Sequence, residues 1–328
     1  NAIYDADAID QASFAEVFGT FDTTKEGSAV TKGFAVPEAI GFLAAKLRDT
    51  GAALEVRKQA ARVLGFMGPA GATAVPVLAE VLADPDPGLR CEAALALYLM
   101  GPAGGSAAPA LAAALDSADP KTMCVVDGDS KRLISDRQPA GFQWLLADYA
   151  EDMQGISNVP LSRLLIDSIG MGGPQAQVTA PALSKAMSQP VLRRAAAEAA
   201  ARVGAAATPD FIDLLISRKQ QQGSMGGKPL RRGYGADQRR AAAYALLQSS
   251  EPLDPAVAER LTKVIKDEAE DVGVRTLLAT ALEARGQLDA KVWRQTGLQP
   301  LAAPQCPTWP NMSDSAIALV GYDIYRGV

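Results

Sequence analysis

Seven basic side chains crowd one stretch of this sequence: Arg218, Lys219, Lys228, Arg231, Arg232, Arg239 and Arg240, set against a single acid, Asp237. Such a cluster can steer and dock an acidic partner surface. Nucleic acid is a poor match, because the chain carries a net charge of −5 and a pI of about 5.0, whereas nucleic-acid binders usually present a strongly basic face. Within the cluster, Gly223-Ser224-Met225-Gly226-Gly227-Lys228 approximates a phosphate-binding loop. Three departures count against it: Gln222 stands where the first glycine belongs, Pro229 replaces the hydroxyl residue, and no strand is expected before it. Asp127-Gly128-Asp129-Ser130 approximates a calcium loop. Its twelfth position is Gln138 and its sixth is not glycine, so at most an irregular calcium site could form there.

The sequence contains no histidine. The commonest general base and the commonest metal ligand are therefore both missing, and no Ser-His or Cys-His dyad can form within the chain. Three scattered cysteines cannot supply a zinc site at the usual spacings, and no Cys-x-x-Cys-His sequence is present to attach haem. Cys91 lies in a helical pattern and reads as a small buried hydrophobe. Cys124 and Cys306 lie in irregular segments and could pair in an oxidising compartment, which leaves at least one of the three thiols free or bonded to another chain. Carboxylate pairs such as Glu268 and Asp271 sit on helix surfaces, where solvation explains them. The expectation is a protein with no catalytic residue, no cofactor and no metal, and not an enzyme.

The elements that would carry any function repeat. Val56 to Pro69 lies over Leu89 to Pro102 at an offset of 33, and the same offset carries Pro76 onto Pro109 and Asp86-Pro87 onto Asp119-Pro120. An arginine followed eleven residues later by glycine recurs at Arg57/Gly68, Arg90/Gly101, Arg193/Gly204 and Arg275/Gly286. The spacing predicts a helix over Arg57–Met67 with Ala60, Ala61, Leu64 and Met67 on one face. Gly68 then takes a left-handed conformation that ends it. A second helix follows over Ala74–Leu82, with Pro76 in its first turn. Asp84-Pro85-Asp86-Pro87 stops that helix and caps the next. A pair of short helices cannot bury its apolar faces alone, but stacked copies can.

This pattern resembles the HEAT-repeat family, in particular the short bacterial form often called HEAT-like or phycobilisome-lyase-like. The resemblance implies an all-α solenoid of about six helix pairs. It also implies that Arg57, Arg90, Arg193, Arg275, Asp86 and Asp119 bond between neighbouring repeats, with Arg90 reaching Asp86. Some HEAT-like relatives attach bilin chromophores, so a bilin lyase or another small-ligand binder is the alternative that the resemblance offers. Its first implication is protein–protein interaction.

Three domains are expected: an N-terminal helix and worn repeat over 1–53, with Pro37–Leu47 as its second helix; the array over 54–288; and a Pro-rich aromatic tail over 289–328. Segments 121–155 and 217–236 interrupt the array. Of the 18 aromatic residues, only Phe66, Tyr98, Phe211 and Tyr244 fall within the clear repeats. The rest follow the breaks, where aromatics and arginines could pin a segment or anchor a partner. Trp144, Arg231, Arg232, Tyr234, Trp309, Tyr322 and Tyr325 are the candidate partner contacts. The expected function is a non-catalytic scaffold or assembly subunit that docks other proteins. No apolar run reaches the ~18 residues needed to cross a bilayer. The chain starts at Asn1 rather than Met; a cleaved signal would place it in the periplasm or outside the cell, and otherwise it is cytoplasmic.

Overall fold

Alanine and leucine recur at helical spacing, and Gly-Pro and Asp-Pro stop each helix after two to four turns, so the chain folds as short helices. The computed structural model describes residues 37–126, 157–216, 223–225, 228–230, 234–249 and 251–299. They belong to two compact units, divided between Ala176 and Gln177.

In the first unit the helices are α1 (Pro37–Arg48), α2 (Leu54–Phe66), α3 (Val75–Val81), α4 (Pro87–Met100), α5 (Ala108–Ser117) and α6 (Leu161–Met171). Helices α2, α4 and α6 pack side by side as one layer, and α1, α3 and α5 pack as a second layer against it. The core between them is Leu43, Leu47, Leu64, Leu78, Leu89, Leu97, Leu111 and Leu165, all essentially buried. The links inside each pair are 3-10 turns, Gly68–Ala74 and Gly101–Ala107, rather than open loops. A third such turn, Gly173–Thr179, contains the division between the units.

The second unit repeats the plan. Its helices are α7 (Ala180–Ala186), α8 (Pro190–Arg202), α9 (Pro209–Ile216), α10 (Tyr234–Gln248), α11 (Pro255–Lys266), α12 (Val272–Ala284) and α13 (Lys291–Thr296). Helices α8, α10 and α12 form one layer, and α7, α9, α11 and α13 the other. Each unit is thus an α-solenoid segment of antiparallel helix pairs. Helix α13 corrects the expectation that an irregular tail begins at Asp289. Trp293 is buried on it and donates its indole N–H to Glu283 at 3.0 Å, so this aromatic pins a segment.

All four glycines eleven residues after a motif arginine have positive φ: Gly68 (59°), Gly101 (59°), Gly204 (71°) and Gly286 (67°). Gly204 is left-handed, with ψ 16°. Gly101 instead has ψ −135°, a region open to almost nothing but glycine.

Two features differ from the sequence expectation. The first interruption is rooted on an antiparallel ribbon, and the second contains one. Strand β1 (Met123–Val126) pairs with β2 (Ser157–Pro160), and β3 (Gly223–Met225) pairs with β4 (Lys228–Leu230). The glycine-rich run therefore builds a hairpin, and the strand–loop–helix setting of a phosphate loop is not met. The second correction concerns the thiols. Cys124 is bonded to Cys91, with Sγ–Sγ 2.07 Å and Cα–Cα 5.3 Å. Cys91 faces β1 from α4, so it is a covalent anchor rather than a lone hydrophobe; Cys306 lies outside the described residues.

Candidate interaction site

The motif arginines act at the seams between helix pairs. Arg57 donates from Nε to Leu47 O at the end of α1 (3.0 Å) and from Nη2 to the Asp84 carboxylate (2.8 Å). Arg193 donates to Met187 O just past α7 (3.0 Å), and Arg275 to Ile265 O near the end of α11 (2.8 Å). Each caps orphan carbonyls at the C-terminus of the preceding helix and places a cation where the helix dipole is negative. Burial pushes the Asp84 carboxyl up, but the Asp86 N–H and the guanidinium groups of Arg57 and Arg90 outweigh it and hold it below its ordinary value.

Two of the aspartates behave otherwise than expected. Arg90 does not bond the Asp86 carboxylate. It donates to the carbonyls of Asp84 (2.8 Å) and Pro85 (3.2 Å), while that carboxylate caps α4 through the Leu89 N–H at 2.7 Å. Asp119 caps no helix: its carboxylate accepts from the Lys121 N–H within its own turn, since the chain next enters β1.

A set of rungs between first helices was not visible in the sequence. Asp86, at the N-terminus of α4, also holds Lys58 of α2 at 3.5 Å. Asp271, at the N-terminus of α12, caps through the Val274 N–H (3.0 Å) and holds Arg240 of α10 at 2.5 Å. Beside these lie Arg62–Glu92 (2.5 Å) and Arg239–Glu270 (2.7 Å). Only a base in one first helix and an acid about 30 residues on could have signalled them. Two further pairs close within one helix: Arg163–Asp167 (2.9 Å) and Arg194–Glu198 (3.1 Å), both with buried side chains. Burial pushes the Tyr244 hydroxyl well above its usual pKa, so it stays neutral and contributes packing.

One edge of each unit is different in character. In an antiparallel pair stack, the end of each second helix and the start of the next first helix lie at the same edge. Five of the six exposed large apolar side chains among the described residues sit at that junction: Leu54, Met123 and Val125 in the first unit, and Val191 and Val272 in the second. Met123 and Val125 are two apart on β1, so they share its outer face, while Cys124 and Val126 turn inward. Both interruptions also leave the array at this edge. Of the predicted partner contacts, the backbone of Tyr234 begins α10. Trp144, Arg231, Arg232, Trp309, Tyr322 and Tyr325 lie outside the described residues. Among the described residues no cluster of side chains could hold a metal ion, and no helix is long and apolar enough to cross a membrane.

A family model of HEAT repeats matches residues 35–123, from just before α1 to the start of β1. Residues 35–123 are HEAT repeats. The second unit shares their helix-pair plan and positive-φ glycines. No curated protein matches the chain. Among solved structures, the chain is similar to the complex of CpcE and CpcF of phycocyanin lyase from Nostoc sp. PCC7120. The identity is 18%, over 84% of this chain and 90% of that one, with a TM-score of 0.33; a superposition that loose carries no functional argument.

Proposed function

We propose that this protein is a non-catalytic scaffold or assembly subunit, which binds other proteins along the junction edges of its HEAT-type units. One observation supports this most: the exposed large apolar side chains gather at that edge, where both interruptions also leave the array. Apolar side chains scattered singly over a surface need no explanation, but a grouping beside inserted segments is the form of a protein contact.

The test is the native mass of the protein taken gently from its own cells, beside a Met123→Glu/Val125→Glu variant. The wild type is expected to run well above 34.2 kDa with stoichiometric companions. The variant is expected to lose them with its thermal unfolding unchanged. A wild type that runs alone sinks the stable-subunit reading. Uptake of visible absorbance from an added bilin would then move the chain towards the lyase class.

A further inference from the structure

We propose that the Cys91–Cys124 disulfide decides whether the β1–β2 ribbon is held on α4, so that the docking edge of the first unit is complete only in chains that fold under oxidising conditions. The role in docking rests on the scaffold reading above; the role in holding the ribbon does not.

The ribbon is poorly provided for otherwise. It has four residue pairs, and a two-stranded ribbon of that size is marginal in water. Its inward contacts are Cys124, Val126 and Val159 against α4 and α6. Thirty residues, 127–156, separate its strands in sequence, so their pairing is not a local contact. Strand β2 is held by direct continuity with α6, whose first N–H donates to Thr122 O at 2.9 Å. Strand β1 is tied to α4 by the disulfide at Cys124, its second residue. Met123 and Val125, the exposed apolar pair, flank the bonded cysteine.

Burial makes this a lock rather than a rapid switch. Cys91 is 6% exposed and Cys124 1%, so a reductant reaches the bond only when the ribbon has opened. Formation takes two thiols: they lose two protons and two electrons to a partner disulfide, which leaves as two thiols as the Cys91–Cys124 bond forms. Without the bond both side chains still pack as small hydrophobes, so the helix layers remain and only the ribbon is released.

The experiment compares full-length chain made in an oxidising and in a reducing cytoplasm, by non-reducing peptide mapping and hydrogen exchange. The oxidised protein should yield a linked Cys91–Cys124 peptide. In the reduced protein the amides of β1 and β2 should exchange at least about tenfold faster, with α8–α12 unchanged. A Cys91→Ser/Cys124→Ser variant should match the reduced protein in both hosts. Equal ribbon protection with and without the bond overturns the lock, as does a Cys124–Cys306 linkage. A ribbon that opens on reduction while companions stay bound overturns the coupling to docking alone, and a locked ribbon on a chain with no companions sinks the scaffold reading alone.

Discussion

The junction between α5 and α6 in the first unit and that between α9 and α10 in the second interrupt the repeat at the same point, yet they are fastened by different means. In the first unit the returning helix is secured through covalent and close-packed contacts. A disulfide holds β1, Ser168 Oγ of α6 donates to Ala94 O of α4 at 2.9 Å, and Gly105 lies against Gly172. In the second unit the returning helix is secured by charge. Helix α10 receives Arg193 from α8 on Asp237 at 3.7 Å and sends Arg239 and Arg240 to Glu270 and Asp271 at the entrance of α12. A helix re-entering a stack after an insertion has lost the short linker that would set its register. The two units restore that register with a bond and with a clamp of ion pairs, so reductant should threaten one junction and acid the other.

The largest effect should come from removing the bond. Cys91→Ser/Cys124→Ser is expected to destabilise the first unit by about 3–4 kcal/mol, from the chain-entropy account of a loop with the observed separation of 33 residues. Urea unfolding checks it, with exchange protection in α8–α12 staying as it was. Next comes Gly105→Ala. A Cβ there would stand 2.6 Å from Gly172 O, and neither backbone can yield cheaply, so a loss of roughly 2–3 kcal/mol is expected in thermal unfolding.

Arg240→Ala breaks the clamp and should cost roughly 1–2 kcal/mol, in the second unit only. Acid gives the same comparison without mutation. Burial pushes the Asp271 carboxyl up, but Arg240 and the N–H groups of Val274 and Gly273 outweigh it, so its folded pKa lies below the ordinary one. A depressed carboxyl stabilises the fold fully above the unfolded value of about 3.9, and that stability is lost as pH falls through the folded value. Asp271→Asn should flatten this part of the acid unfolding curve, and the ribbon's exchange should be indifferent to it. The smallest effect should be Trp293→Phe, which keeps one aromatic ring at the site but loses the pyrrole part of the indole and its hydrogen bond to Glu283, at about 1 kcal/mol.

The parts of the fold legible in the sequence are those fixed by local backbone chemistry. The Arg-to-Gly spacing located four positive-φ glycines, and Asp84-Pro85-Asp86-Pro87 located a stop and a cap, because a residue's own conformational limits decide these. Pro37–Leu47 was readable as a helix for the same reason. Partner choice was not readable. Asp86 could have met Arg90 or the helix amides, and only the fold shows that the amides and Lys58 take it. Cys124 stands 33 residues after Cys91, the repeat's own period, but the strand that turns it inward carried no helical signal. The helix that carries Trp293 has six residues, too short to show a helical period in the sequence. The candidate contacts were chosen by residue type at the breaks, and the exposed edge at Met123 and Val125 was missed because a four-residue strand gives too short an alternation to stand out.

Asp86 closes the module that begins at Leu54, yet the helix it caps belongs to the next. The copy over 54–86 therefore carries forward the terminus on which its successor is built, as a brick might carry its own mortar. A tandem duplication of residues 54–86 would place Asp86 directly before a second Leu54. The new helix would be capped as α4 is, and Lys58 would find its aspartate without any further change. Lengthening of this chain by whole 33-residue modules is thus written into its register, whereas an insertion of any other length must bring its own fastening, as both interruptions do.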